Sequence, residues 1–209
     1  PYYILPEVFV GKVNGKYVVM VNDDQTPHVR ISDYYKKLMN DEHTTQDAKD
    51  YIKEHIRSAF LLIKSITQRK QTLFKVASQI VKEQTAFFEH GISYLKPLTM
   101  MDVAKAIGMH ETTVCRCIAN KYIKTPRGIF EMKYFFTPGL ATAKGEIIST
   151  QTIKNKIANI VAKEDSAHPL SDHDILEKLK AEGINIARRT IAKYRIALQI
   201  PPAHLRKSG

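Results

Sequence analysis

The sequence predicts a mainly α-helical fold. We expect a helical bundle with a small N-terminal β-hairpin and a long helix, a central helix-turn-helix, and a C-terminal three-helix domain with a second helix-turn-helix. Three observations predict this. Residues 44–90 contain no Gly or Pro and carry apolar residues at helical spacing. Two capped amphipathic stretches each lead through a glycine turn into a polar or basic helix. The stretch ARRTIAKYR, residues 187–195, holds four cations and no acid.

The charge of the chain favours a polyanionic partner, with nucleic acid ahead of an anionic membrane. The chain of 209 residues has 32 Lys and Arg against 21 Asp and Glu, a formal net charge of +11. Residues 1–90 hold 13 basic and 11 acidic residues, residues 91–148 hold 8 and 4, and residues 149–209 hold 11 and 6. The excess therefore lies where the candidate DNA-reading helices lie, although a run of like charge alone is more often a solvated helix face.

Other functional classes find little support. There is no Gly-rich phosphate loop and no Gly-x-Ser-x-Gly, and the eight His residues lack metal-ligand spacing. We therefore expect no enzyme, no cofactor and no metal. The cysteines, Cys115 and Cys117, are too close in sequence for a disulfide and are expected to be free thiols in a reducing cytosol. No apolar run of 18 residues and no signal peptide are present, so no membrane association is expected.

The N-terminal elements begin with a hairpin. Residues 8–21 form two β-rich runs around Asn14-Gly15, a pair that suits a type I′ turn. Residues 29–39 predict a short helix. The chain starts at Pro1 on an apolar stretch, as expected of a fragment of a longer protein.

Residues 44–90 predict one very long helix, or two with a break near residues 65–71, and Gly91 suits the C-cap. Such a helix is typical of a bundle or a protein-docking surface. Because the first ninety residues are nearly neutral, DNA contact there is less expected.

Residues 98–120 predict the first helix-turn-helix. Thr99-x-x-Asp102 is a capping box that starts a helix. Ala104 and Gly108 occupy positions where two helices cross closely and the chain turns through positive φ. The pattern also fits a purely structural helix pair. The residues of this region expected to face DNA are His110, Glu111, Thr112, Thr113, Arg116, Asn120, Lys121 and Arg127.

The following segment, residues 121–136, predicts a hairpin or wing around the turn at 126–128. Its aromatic residues could stack on bases, but core packing is the commoner role. Residues 137–150 are rich in Gly, Pro and small residues and predict a loop at a domain boundary. The aromatic residues in question are Tyr122, Phe130, Tyr134, Phe135 and Phe136.

The C-terminal module predicts a helix at residues 151–164, a capping box at 171–174 and a helix end at Gly183. The apolar position expected six residues after that glycine is Arg189, so the turn must be longer, with Ile191 in the core. The small residue Ala192 would let the helix lie deep in a DNA groove. The residues expected to contact DNA are Arg188, Arg189, Thr190, Lys193, Tyr194, Arg195, Arg206 and Lys207, although Tyr194 also belongs to the apolar stripe.

The stretch at 187–195 resembles the RpoN box, the signature of the sigma-54 class of bacterial RNA polymerase sigma factors. The family pattern is ARRTVAKYR, from which only Ile191 departs. Segments within residues 110–136 (HETTV, NKY, TPRG, KYFF) are similar to the downstream helix-turn-helix region of that family. Residues 68–81 resemble the long helix before it. The family usually has Ser where Cys115 stands.

The resemblance implies a sigma factor that recognises promoter DNA and docks core RNA polymerase in the bacterial cytoplasm, at the nucleoid. Residues 149–209 would be the RpoN domain that reads the GG of the −24 element, and residues 91–148 would lie over the GC of the −12 element. Residues 1–90 would be part of the core-polymerase-binding domain. A separate AAA+ activator ATPase would act through an N-terminal region missing from this chain.

An ordinary dimeric helix-turn-helix repressor is the alternative. It predicts a palindromic site and a dimer interface in the long helix. The sigma-factor interpretation predicts a monomer on an asymmetric site, with its two readers about 10 base pairs apart.

Overall fold

The computed structural model describes residues 4–22, 29–142 and 147–207. The acidic pair Asp23-Asp24 lies outside these residues. The strands are β1 (Val8–Val13), β2 (Lys16–Val21), β3 (Tyr122–Thr125), β4 (Gly128–Glu131), β5 (Gly139–Ala141) and β6 (Ile147–Ser149). The helices are α1 (Asp33–Asn40), α2 (Gln46–Glu83), α3 (Thr85–His90), α4 (Met100–Ile107), α5 (Glu111–Ile118), α6 (Thr150–Ala162), α7 (Asp172–Ala181), α8 (Arg188–Ala197) and α9 (Ala203–Arg206).

The mainly α-helical fold class is confirmed, and so is the N-terminal hairpin. Its turn residues, Asn14 and Gly15, have φ values of 49° and 79°, the positive pair that a type I′ turn requires. The sequence did not predict what the hairpin joins. β1 also pairs in parallel with β3, aligning Val8 with Ile123, so two hairpins form one sheet of order β2-β1-β3-β4.

The long helix is continuous through residues 65–71, so the alternative with a break there is wrong, and it ends at Glu83. The chain bends at Gln84, which is fully buried. Its amide Nε2 donates to the Lys96 carbonyl at 2.8 Å, and its Oε1 accepts from the Lys96 amide at 2.9 Å. Because both ends of the amide are bonded, the bend is fixed to the segment that leads into α4. Gly91 ends α3 with φ of 97°, as predicted.

Two hydrophobic cores divide the described residues. The first gathers the C-terminal half of α2 with β1, β3, α3, α4 and α5. The second gathers α6, α7 and α8 around the fully buried Ile153, Ile175 and Ile191. The first core crosses the boundary expected at residue 90, and the division into three regions stays a prediction.

The segment predicted as a loop at residues 137–150 contains the β5–β6 hairpin, in which Gly139 pairs with Ser149. The aromatic wing packs as expected: Phe135 is fully buried, and its ring centroid lies 5.3 Å from that of Phe87. Burial raises the pKa of the Tyr134 hydroxyl. Across the described ranges, none of the helices combines the length and the apolar character needed to cross a bilayer.

Candidate nucleic-acid interface

The first helix-turn-helix has the predicted local construction. Thr99 accepts from the Asp102 amide at 3.1 Å, and the Asp102 carboxylate accepts in return from the Thr99 hydroxyl and amide, which lowers the pKa of Asp102. Gly108 turns the chain with φ of 66°, the left-handed region that Gly adopts freely. Val103 and Val114 are fully buried between the two helices. The crossing therefore fixes which face of α5 points outward.

That outward face of α5 is polar. The side chain of His110 caps the helix, because its Nδ1 accepts from the Thr112 amide at 3.2 Å. Sequence reasoning placed His110 at DNA and missed this role, since His is an uncommon N-cap. Glu111 and Thr113 are exposed in the first turn of α5, and Arg116 is exposed one turn further along.

Three other candidates of this module have structural partners or roles. Asn120 turns the chain out of α5 with φ of 53°. The Lys121 ammonium lies 3.7 Å from the Glu7 carboxylate. Arg127 does not extend from the wing: its Nε donates to the Phe88 carbonyl at 3.1 Å and its Nη2 to the Glu89 carbonyl. Its guanidinium ties the wing to α3, but the residue is exposed, and the expectation that Arg127 faces DNA stays a prediction.

The second helix-turn-helix joins α7 to α8. Ser171 and Asp174 form the predicted capping box, and Gly183 has φ of 84°. The connection spans residues 182–187, longer than the turn at 108–110, which agrees with the expected longer turn. Ile191 is fully buried, as predicted for this frame.

Helix α8 presents three cations to solvent. Arg188, Arg189 and Lys193 are exposed, and none of them forms an ion pair with any residue that the structure describes. Ala187 caps the helix without a side-chain bond, so amides of the first turn stay open to an anion. Tyr194 is half-buried against the second core, and Thr190 is half-buried at the rim.

The fourth cation of the stretch, Arg195, points inward. Its side chain is 8% exposed. Nε donates to Asp172 Oδ1 at 2.8 Å, Nη2 to Oδ2 at 3.2 Å, and Nη1 to the Ile200 carbonyl at 2.9 Å. The guanidinium therefore holds α8 to the start of α7 and to the following turn. The expectation that Arg195 also contacts DNA stays a prediction, which its internal bonds do not support.

Arg206 is likewise bonded within the protein, and its expected contact with DNA stays a prediction. Its Nε and Nη2 donate to the two oxygens of Glu164 at 2.6 and 2.9 Å, and Nη2 also donates to the Leu170 carbonyl at 2.8 Å. These bonds lower the pKa of Glu164. Arg206 therefore clamps the C-terminal tail to the end of α6. Its neighbour Lys207 is exposed.

A cationic surface on α2 escaped the sequence reasoning. Residues 55–82 contain six Lys and Arg and no acid. The nine acids in residues 1–54 offset these cations, so the net charge of residues 1–90 as a whole is close to neutral. Arg69 lines a groove of about 780 Å³ that Arg116 lines from the α5 side. Counting charge element by element would have found it. Among the described residues no cluster of His, Cys, Asp and Glu could hold a metal ion.

Two helix-turn-helix modules, one with an outward cationic helix, define a protein of the double-stranded DNA-binding class. The model of the sigma-54 DNA-binding domain matches residues 49–208, and that of the sigma-54 core-binding domain matches residues 1–35. The chain belongs to the sigma-54 factor family.

Named relatives agree with this assignment. The chain is 41% identical over 207 residues to the RNA polymerase sigma-54 factor of Salmonella typhimurium, covering 99% of this chain and 43% of the relative. It is 44% identical over 205 residues to that of Vibrio anguillarum, covering 98% and 42%. A crystal structure of Aquifex aeolicus sigmaN bound to promoter DNA matches with a TM-score of 0.61 at 30% identity, over 99% of this chain and 61% of that one. The chain thus spans less than half the length of these curated relatives.

Proposed function

We propose that this chain is the promoter-recognition part of a sigma-54 factor. In this proposal α8 reads the GG of the −24 element in the major groove, and α5 lies over the −12 element. The observation that carries it is the division of cations on α8. Arg188, Arg189 and Lys193 face solvent without an acidic partner among the described residues, whereas Arg195 is held inside.

The base-reading roles follow from chemistry. An Arg guanidinium can donate two bonds to guanine O6 and N7, and such a pair is the commonest specific contact in the major groove. We assign this role to Arg188 or Arg189. Lys193, Lys207 and the open amides at the start of α8 would hold phosphates, which position the helix without reading sequence. On α5, Thr112, Thr113 and Arg116 would approach the downstream element.

The remaining partners are proposed from the family match. Residues 1–35 match the core-binding domain, which supports docking to core RNA polymerase. We also propose that an AAA+ ATPase activates transcription by this factor. We propose a monomer without catalytic activity of its own, which acts with polymerase in the cytoplasm at the nucleoid.

Fluorescence anisotropy with labelled duplexes tests the proposal. One duplex carries GG and GC elements about one helical turn apart, one has the GG scrambled, and one has the GC scrambled. The chain should bind the intact duplex more tightly than both controls at the same salt concentration. Equal affinity for all three duplexes would refute it.

The dimeric repressor makes opposite predictions for the same sample. It requires a dimer in analytical ultracentrifugation and a symmetric footprint on the duplex. A monomer with an asymmetric footprint over both elements would exclude it.

A further inference from the structure

The two hydrophobic cores meet at a small set of polar contacts that we call the joint, formed by residues 95–98, 137–139 and 149–152. It connects the first core, which contains α5, to the second core, which contains α8. The chain does not pass between the cores as an open linker, because the β5–β6 hairpin folds it back so that Gly139 lies beside Ser149.

The centre of the joint is a buried chain of hydroxyl groups. Ser149 is fully buried and Thr152 is 5% exposed. The Thr152 hydroxyl donates to the Leu95 carbonyl at 3.3 Å and lies 2.8 Å from Ser149 Oγ. Since the Thr152 proton points at Leu95, the Ser149 hydroxyl must donate to Thr152. Ser149 Oγ in turn accepts from the Thr152 amide at 3.1 Å.

Backbone contacts surround this centre. The Leu98 amide donates to the Thr137 carbonyl at 3.1 Å. The Thr150 amide and hydroxyl both donate to the Pro138 carbonyl, at 3.1 and 3.0 Å. Each of these bonds ties the start of α4 or of α6 to the strand between the cores.

The backbone at Gly139 is closely packed against its neighbours, with no space for a side chain. A Cβ added there would lie 3.0 Å from two atoms of the Pro97 ring and 2.2 Å from Ile147 Cγ2. The chain segments on both sides of the joint are therefore in direct contact.

Hydrogen bonds differ from apolar contacts in being directional. An apolar interface can slide or rotate at little cost, whereas a buried hydroxyl that loses its acceptor is left unsatisfied. Both bonds of Ser149 Oγ go to Thr152, three residues away, so Ser149 orients the Thr152 hydroxyl. The bond from that buried hydroxyl to the Leu95 carbonyl crosses between the cores and favours a single orientation of α8 relative to α5.

We infer that the joint is a spacer gauge: Thr152, oriented by Ser149, fixes the angle and distance between the two DNA-reading helices, and so sets which separation of promoter elements the chain accepts. This inference rests on the proposed function. One extra base pair moves an element by about 3.4 Å and rotates it by about a tenth of a turn. A rigid joint cannot follow that movement without losing base contacts at one reader.

The first test measures binding to duplexes whose GG and GC elements are separated by the accepted spacing, or by one or two base pairs more. The unchanged chain should lose about tenfold or more in affinity per inserted base pair, the equivalent of one bidentate base contact. Thr152→Val, which keeps the side-chain shape but removes the hydroxyl, should reduce this discrimination severalfold. Its affinity for a duplex with the GG element alone should not change.

Thr67→Val is the matched control. The Thr67 hydroxyl is exposed and donates to the Ile63 carbonyl of its own helix at 3.0 Å, so its loss should leave spacing discrimination intact. Thr150→Val removes a more exposed joint bond and is the second variant if Thr152→Val fails to fold, as judged by circular dichroism.

A DNA-free measurement tests the joint independently of promoter binding. Spin labels on Cys115 and at Glu177→Cys, in a chain with Cys117→Ser, report the distance between α5 and α7. One narrow distance distribution that broadens in Thr152→Val supports the inference. A broad distribution in the unchanged chain overturns it, as does full spacing discrimination in a folded Thr152→Val. A narrow distribution without any preference for GG would instead refute the proposed function and, with it, the gauge role.

Discussion

The role of Arg195 as an internal anchor gives the sharpest prediction. In Arg195→Ala the Asp172 carboxylate, only 19% exposed, loses both guanidinium bonds, and the Ile200 carbonyl loses its donor. Removing one partner of a buried ion pair costs about 3–5 kcal/mol, because the other charge stays behind uncompensated. Since Asp172 keeps some contact with water, we expect about 3 kcal/mol, roughly a hundredfold or more in the folding equilibrium of the second core.

Hydrogen exchange of the Ile175, Leu179 and Ile191 amides is the assay, because these residues form the second core and report on it alone. Circular dichroism in urea would mix the two cores into one curve. Lys193→Ala is the stability control: its exposed side chain should change the exchange free energy by no more than about 0.5 kcal/mol.

The double variant Asp172→Leu with Arg195→Met separates anchoring from base reading. Apolar replacement of both partners of a buried pair is often neutral or stabilising, so protection from exchange should return to near the original level. If Arg195 acts only through the fold, the preference for GG-containing DNA should return as well. Restored protection without restored preference would show that Arg195 touches a base, and the reasoning from its burial would fail.

Three further predictions follow from other contacts. Arg189→Ala should cost about 1–3 kcal/mol on GG-containing DNA and little on random DNA, whereas Lys193→Ala should weaken both alike and reduce the salt slope by about 0.9; equal losses for both variants on both duplexes would contradict this. The bonds to Arg206 lower the pKa of Glu164 in the folded state. The ionised Glu164 therefore stabilises the fold at pH values above its ordinary pKa of 4.5, and this stabilisation is lost as the pH falls from 4.5 through the folded-state pKa. Acid titration followed by circular dichroism should show a smaller loss in Glu164→Gln. Gln84→Ala should lower the hydrogen-exchange free energy of first-core amides such as Ile80 and Phe88 by about 1–3 kcal/mol, since both the amide and the carbonyl of Lys96 lose a buried partner, and unchanged protection would refute the clamp.

The features that could be predicted correctly from the sequence involve residues close together in the chain. The capping boxes at Thr99 and Ser171 and the glycine turns at Gly108 and Gly183 each involve residues within a few positions of one another, and all appear in the structure. A cap depends on one side chain and the next turn of the chain, so its pattern survives in any fold that contains the helix.

The features that it did not carry join distant residues. The parallel pairing of β1 with β3 brings Val8 to Ile123, and nothing in either strand names the other as its partner. The clamp from Arg206 to Glu164 spans 42 positions. Any acidic residue in the chain could have paired with the Arg206 guanidinium, and composition and spacing do not show which one does. The sequence therefore predicted the commonest partner of a basic tail, a DNA phosphate.

Arg195 is a different case, since helical geometry held the information. It lies four residues after Ile191, so the two side chains share one face of α8. The longer turn between α7 and α8 places Ile191 in the core. The aliphatic part of the Arg195 side chain must then pack at the edge of that core. A cation there needs an acid or several carbonyls, whereas Arg189 and Lys193 share the opposite face. The basic stretch therefore contains two kinds of cation: Arg189 and Lys193 lie opposite Ile191 and are exposed, whereas Arg195 lies beside it and holds the helix in place.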